Sequence, residues 1–242
     1  SQAGRCTDPP VCSVFVNDTQ TSATIDAGDP AEGVGVESAS NGGAANLGST
    51  GLTVEASRSP ASPTAPAIAG VFISSVSVSY TPTGPAPDGY VVDASTDSLY
   101  KPPLISSSTP GLTPSPLAPQ GLAPNTTYYL RVGAIWGDLT KYAATGVSTS
   151  TLASPPGALP LTGVTVSSII STWTAGVPAN PPWTLYELRA STDNFATVAT
   201  SSLTYNVSVS SSGLGANTTY YFQVRAINNN SVPTIFVSLG ST

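Results

Sequence analysis

Few residues in this chain have types and spacings that could do chemistry. Asp26-Ala-Gly-Asp29-Pro-Ala-Glu32 sets three carboxylates three apart, and hard oxygen ligands of this kind suit calcium. The run lacks the Asp-rich twelve-residue pattern of a dedicated calcium loop, so its competing reading is a solvated acidic turn. Asp88, Asp93 and Asp97 could supply carboxylates for acid/base work, but no nucleophile and base accompany them. Cys6 and Cys12 enclose five residues; a local disulfide in an oxidising compartment is the expectation, since a catalytic or metal pair more often uses a two-residue spacing.

Composition narrows the choice further. The chain has no His and no Met, which removes the commonest general base and metal ligand and any Ser-His-Asp triad. No enzyme, cofactor or metal centre is therefore expected. Charged residues are 8% of the 242, against about 25% in an ordinary soluble domain. With a net charge of -6 and Lys101 and Lys141 as the sole lysines, there is no basic surface for nucleic acid or anionic lipid. No apolar run reaches the roughly 18 residues of a spanning helix, so no membrane insertion of the mature chain is expected. The start at Ser1 without Met fits a mature product whose export signal has been removed, which places the protein outside the cell or on its surface.

The elements that hold these residues show themselves as a repeat. Leu122-Ala-Pro-Asn-Thr-Thr-Tyr-Tyr-Leu-Arg-Val-Gly-Ala-Ile135 returns as Leu214-Gly-Ala-Asn-Thr-Thr-Tyr-Tyr-Phe-Gln-Val-Arg-Ala-Ile227. Ser74 to Thr81 matches Ser167 to Thr174, and Ala94-Ser-Thr-Asp97 matches Ala190-Ser-Thr-Asp193. Residues 66–153 and 154–242 are read as two copies of one unit, with 1–65 as a separate extension.

Inside each copy apolar residues alternate with polar ones, the mark of a half-buried strand. Tyr128, Leu130, Val132 and Ala134 face one side, as do Tyr220, Phe222, Val224 and Ala226, which leaves Arg131 and Arg225 on the solvent face. Val76, Val78 and Tyr80 form a second inward set, answered by Ile169 and Trp173, with Ser171 where Val78 predicts an apolar residue. Turn clusters rich in Pro and Gly separate these runs. The reading is all-β, an antiparallel sandwich in each copy.

The pattern Leu-x-Pro-x-Thr-x-Tyr followed by alternating apolar positions resembles the corner and following strand of fibronectin type III domains, here as a tandem pair of the kind found in secreted bacterial surface proteins. The resemblance implies that Tyr128 and Tyr220 are structural corner tyrosines whose hydroxyls bond to backbone near Leu122 and Leu214. It also makes Tyr80 and Trp173 the core aromatics of the second strand. The second copy departs from the pattern at Ala216, where Pro is usual, and the first carries a Pro-rich excursion from Pro102 to Pro119.

Residues 1–65 differ in character: seven acids stand against Arg5 and Arg58, and strand-like pieces are short and Gly-rich. So small a segment buries little apolar surface and should not fold well alone. Its candidate strand residues Val14, Phe15, Val16, Val34, Val36, Leu52 and Val54 could complete themselves on a neighbour's sheet edge, satisfying backbone groups wholesale. Edges are normally guarded by Lys, which this chain almost lacks. A head-to-tail homopolymer, the structural subunit of an extracellular filament, is thus the first functional expectation. The alternative is a non-polymerising adhesion, carbohydrate-binding or spacer region of a larger secreted protein. Tyr129, Tyr221, Trp136 and Trp183 are candidates for sugar stacking, against a reading as packing residues. Ser59 to Pro66 and Ala153 to Pro156 read as stiff extended connectors. Asn17, Asn125, Asn206, Asn217 and Asn229 head Asn-x-Ser/Thr sequons and could carry glycans; at Asn125 and Asn217, turn geometry is the competing reason for Asn.

Overall fold

A computed structural model describes residues 4–6, 15–17, 60–84, 86–110 and 116–242. The described residues form strands and turns and no helix, the all-β architecture that the period of two predicts. At the N-terminus β1 (Gly4–Cys6) pairs antiparallel with β2 (Phe15–Asn17). The first sandwich comprises β3 (Thr64–Val71), β4 (Val76–Thr81), β5 (Gly89–Ser95), β6 (Ile105–Pro110), β7 (Thr127–Trp136), β8 (Leu139–Tyr142) and β9 (Val147–Ser150). The second comprises β10 (Gly157–Ala158), β11 (Ser168–Thr174), β12 (Leu185–Ser191), β13 (Thr200–Thr204), β14 (Ser208–Ser212), β15 (Tyr221–Ile227) and β16 (Val237–Ser241).

Both sandwiches follow one plan. In the first, β3 pairs with β4, and the other sheet runs β6-β5-β7-β8 with β9 also on β7. In the second the sheets run β10-β11-β14 and β13-β12-β15-β16. The Pro-rich excursion of the first copy serves both layers: its start supplies the edge strand β6, and Leu117 near its end bridges to Val78.

Alternation along the strands builds the two cores. Val76 and Val78 of one sheet meet Tyr90, Val92, Leu130 and Val132 of the other, with Tyr80 half-buried against them and its ring 4.9 Å from that of Tyr90. The second core sets Trp173 against Tyr186, 5.7 Å between centroids, with Leu188, Phe222 and Val224 around them. Each such side chain contributes about 1.5–3 kcal/mol by leaving water. Ser171, the counterpart of Val78, is fully buried and its Oγ has no hydrogen-bond partner.

The repeated Ala-Ser-Thr-Asp block has a local cause. Ser95 and Ser191 are buried, and each Oγ accepts the main-chain N–H two residues on, from Asp97 at 3.0 Å and Asp193 at 3.1 Å. Each serine thereby closes the turn that follows its strand.

Three expectations are corrected. No disulfide is present among the described residues: Cys6 lies in β1 opposite Phe15, a pairing set by backbone register, and Cys12 lies outside those residues. Of the Ser59 to Pro66 connector, residues 60–66 are described and are not a free linker, because β3 starts at Thr64 and the Ala61 carbonyl accepts the Trp136 indole N–H at 3.0 Å. Trp136 is consequently buried and presents no stacking face. Val14, Val34, Val36, Leu52 and Val54, like the Asp26–Glu32 run, lie outside the described residues. Phe15 and Val16 pair within their own chain, opposite Cys6 and Arg5.

Candidate functional site

The feature with the most buried polar chemistry is the seam where the first sandwich meets the second. Its centre is Asn125, in the turn before the corner tyrosine, held at φ 42°, a left-handed conformation that Asn tolerates better than most residues. The Tyr128 hydroxyl fixes that corner by accepting the Ala123 N–H at 3.0 Å, and Tyr220 does the same for Gly215 at 3.0 Å.

Asn125 is completely buried, and every polar atom of its side chain is used across the seam. Its Nδ2 donates to Thr184 Oγ1 at 2.8 Å, and its Oδ1 accepts the Asn229 N–H at 2.7 Å. Asn229 Nδ2 returns a bond to the Asn125 carbonyl at 3.3 Å. On either side, Asn228 Nδ2 donates to the Thr151 carbonyl at 3.1 Å and Asn230 Nδ2 to Thr149 Oγ1 at 2.9 Å. The run Asn228-Asn229-Asn230 thus presents three amides to the first sandwich, at Thr151, Asn125 and Thr149. Asn228 is itself oriented by the N–H groups of Asn230 and Val232, both donating to its Oδ1.

The covalent link adds no slack. Leu152 N–H donates to the Phe72 carbonyl at 3.0 Å on one side, while Ala153 is buried in the second core. Ser154 is clasped by Asn180, whose Oδ1 accepts the Ser154 N–H and whose Nδ2 donates to the Ser154 carbonyl, each at 2.8 Å. An apolar recess beside it is lined by Ile73 and Leu152 of the first sandwich and by Val232, Pro233 and Ile235 of the second. Tilting one sandwich on the other would break the bonds across the seam, at about 1–3 kcal/mol for each group that stayed buried without a partner; Asn125, Thr184, Thr151 and Asn228 are buried there. The seam therefore fixes angle as well as proximity.

A second polar feature covers one sheet face of each sandwich. Asp93, 3% exposed, accepts from Arg131 Nε at 3.0 Å, Tyr142 Oη at 2.7 Å and Ser106 Oγ at 2.6 Å. The Arg131 guanidinium lies 3.8 Å from the Tyr142 ring centroid and 4.7 Å from that of Tyr100. Arg131 is therefore half-buried under aromatic rings, where simple alternation places it in solvent. Burial foremost, and then the neighbouring Asp93, pushes the Tyr142 phenol up to about 12; burial and then Tyr90 do the same for Tyr80, also to about 12. In the second sandwich Glu187 accepts from Arg189 Nε at 2.6 Å and Arg225 Nε at 2.7 Å, with Phe236 under both guanidinia. Burial raises the Glu187 carboxyl, and its bonds to Arg189 and Arg225 outweigh that, holding it below the usual range. Asp193, bonded by Ser191 Oγ and by the N–H and hydroxyl of Thr197, is held down to about 2.

The remaining sequence candidates are dispersed. Trp183 is exposed while Tyr129 and Tyr221 are half-buried, and Asp88 is an exposed partner of the Gly137 N–H. Among the sequon residues Asn206, Asn217 and Asn229 are exposed, Asn125 is sealed in the seam, and Asn17 lies in β2 opposite Gly4. No group of three or more His, Cys, Asp or Glu that could hold a metal occurs among the described residues, and no helix there is long and apolar enough to cross a membrane. Sequence reasoning missed Thr184, Thr151, Asn228 and Asn180; the one available signal was the unbroken Asn triplet.

Residues 154–236 match the fibronectin type III domain family. Among solved structures, the two-domain fibronectin type III segment of chicken tenascin is similar at a TM-score of 0.54 and 15% identity, over 75% of this chain and 99% of that one. The FN1–FN3 domains of chicken CNTN1 are similar at a TM-score of 0.36 and 13% identity, over 74% of this chain and 66% of that one. No curated protein matches. The tenascin likeness is one of fold: the described residues form two fibronectin type III-like sandwiches, a fold that is non-catalytic.

Proposed function

We propose that this chain is a rigid two-sandwich spacer of an extracellular adhesive protein, with 66–153 and 154–242 as its structural units. Its task is mechanical: to hold whatever lies at its two ends at a fixed distance and angle. The observation that carries this reading is Asn125, a fully buried amide whose bonds all cross from one sandwich to the other. A flexible tether would gain nothing from such a group, and burying it unpartnered would weaken the chain. The fold match to a two-domain tenascin segment and the non-enzymatic composition agree with a spacer or adhesion role. The filament reading rests on strands within residues 1–65, of which Phe15 and Val16 already have partners in their own chain, so the spacer is favoured.

The test is a distance measurement between bioorthogonal spin labels replacing the exposed Ser98 and Ser201, one on each sandwich. A single narrow distribution that broadens in Asn125→Gly is expected. A broad distribution in the unsubstituted chain would refute the spacer.

A further inference from the structure

The seam has a twin that no other described residue covers. The corner Leu122–Tyr128 of the first sandwich and the corner Leu214–Tyr220 of the second are the same structure. Asn217 sits at φ 53° as Asn125 sits at φ 42°. The Leu214 N–H donates to the Ser167 carbonyl at 3.0 Å as the Leu122 N–H donates to that of Ser74 at 3.0 Å. The adjoining turns coincide as well, Thr165 N–H to Ser168 carbonyl at 2.8 Å answering Phe72 N–H to Ser75 carbonyl at 2.9 Å. These bonds equate Val166 with Ile73.

In the first sandwich this pole is the seat of the second: Asn125 is 0% exposed, and Ile73 lines the recess against Val232–Ile235. In the second sandwich Asn217 is exposed, Val166 is 77% exposed and Val164 57%. Between them lies a groove of about 180 Å³ that also involves Leu214, Tyr220 and Thr242. An amide in a left-handed turn beside an exposed β-branched residue, Val166 here and Ile73 there, is what the first pole would present if the second sandwich were lifted off.

We infer that the pole around Asn217 is a docking seat for another fibronectin type III-like sandwich, one that brings what the second sandwich brings to Asn125. That means a hydroxyl or amide acceptor at the start of its third strand, as at Thr184, and a main-chain N–H in the loop after its sixth, as at Asn229. It also needs apolar residues just beyond, as at Val232 and Ile235. The chain's own first sandwich does not have this chemistry. Asp88 stands where Thr184 would be needed and can accept, but it takes the Gly137 N–H, the counterpart of the Asn229 N–H, at 2.7 Å; Trp136 and Asp138 replace Asn228 and Asn230, and the Trp136 indole is bonded to Ala61. Another amide-rich sandwich is therefore the occupant, not the leading end of a second copy. The inference rests on the reading of the seam as a rigid joint and extends it to a second joint.

The probe is the full chain extended at Thr242 by a second copy of residues 150–242. The pairing of Tyr220 with Thr242 matches that of Tyr128 with Thr149, so Ser150 is the residue that follows in register. Hydrogen exchange by mass spectrometry reads segments 164–168 and 214–219. Both are expected to slow at least tenfold on extension, and Asn217→Gly, which deletes the amide while keeping the left-handed turn, is expected to restore fast exchange. Val166→Asp should do the same without touching the corner. The inference is overturned if exchange is unchanged on extension or if protection survives both variants. Concentration-dependent protection in the 242-residue chain would also overturn it, by making a second copy the occupant. The effect of Asn125→Gly is read at 122–127, so failure of the first joint and of the second are distinguishable.

Discussion

The two sandwiches bury an acid–arginine pair in the same sheet at different residues. In the first, Asp93 lies opposite Arg131, and in the second Glu187 lies opposite Arg225. The repeat alignment equates Asp93 with Arg189 and Arg131 with Gln223. The pair has therefore slid by two residues along both central strands, in opposite chain directions, which keeps the partners face to face in an antiparallel ladder. Two residues is the pleat period, so the slide also keeps the sheet face. What the fold retains is the face and the cross-strand pairing; the position along the strand is free. The covers differ accordingly: Tyr142 and Tyr100 shield Arg131, whereas Phe236 underlies both arginines of the second sandwich.

Removing the acid tests the first half of the comparison with the largest effect. Asp93→Ala leaves Arg131, whose side chain is 24% exposed, and the Tyr142 hydroxyl without their acceptor. A loss of about 3–5 kcal/mol, the scale for breaking a buried pair from one side, is expected in urea unfolding and in the first sandwich alone. Arg131→Gln in the same background should recover part of it; full additivity of the two would mean that they do not interact.

Next comes the contrast between the two corners. Asn125→Gly removes two side-chain bonds across the seam and leaves Thr184 and Asn229 unpaired, about 2 kcal/mol. Asn217→Gly, at an exposed site in the same local sequence, should change stability by only a few tenths of that. Calorimetry of the two variants separates them, and equal effects would show that Asn125 acts through its turn and not through the seam.

A smaller effect of opposite sign is expected at Ser171. Its Oγ is buried without a partner where the first sandwich has Val78, so Ser171→Val should stabilise the second sandwich by about 1 kcal/mol, read as a raised denaturant midpoint. A lowered midpoint would mean that the site is too small for the extra methyl group.

The pH responses should differ between the sandwiches. Glu187 and Asp193 have folded-state pKa values below their ordinary ones. The stability they contribute is fully present above the ordinary value and is lost as pH falls, for Asp193 from about 3.8 to about 2. The second sandwich therefore weakens in acid. Tyr80 and Tyr142 are raised from 10.0 to about 12, so their contribution is fully present below pH 10 and is lost as pH rises towards 12; burial also raises Tyr186 of the second sandwich, so both sandwiches weaken in alkali, the first by way of two phenols held up to about 12. Domain-resolved NMR intensities across pH check this, and Asp193→Asn should flatten the acid limb.

How much of this the sequence discloses follows from which interactions are local. Alternation at Tyr128, Leu130 and Val132 is imposed by the strand itself and is readable directly, as is the mismatch of Ser171 with Val78. Asn125 and Asn217 are the counterexample. Both stand in Asn-Thr-Thr-Tyr-Tyr, yet one is sealed and the other open, because the difference lies in partners 59 and 104 residues away. Arg131 fails for a related reason: periodicity assigns it a face, but whether that face is covered depends on Tyr100 and Tyr142, brought over it from before and after its own strand. The Cys6–Cys12 spacing permits a disulfide, and spacing carries no information about the strand register that sets Cys6 opposite Phe15.

Backbone ¹⁵N relaxation of the full chain tests the seam most directly, because it reports the tumbling of each sandwich separately. One overall correlation time shared by amides of the first and second sandwiches, splitting into two shorter ones in Asn125→Gly, is the predicted result. Two independent times in the unsubstituted chain would contradict a rigid joint.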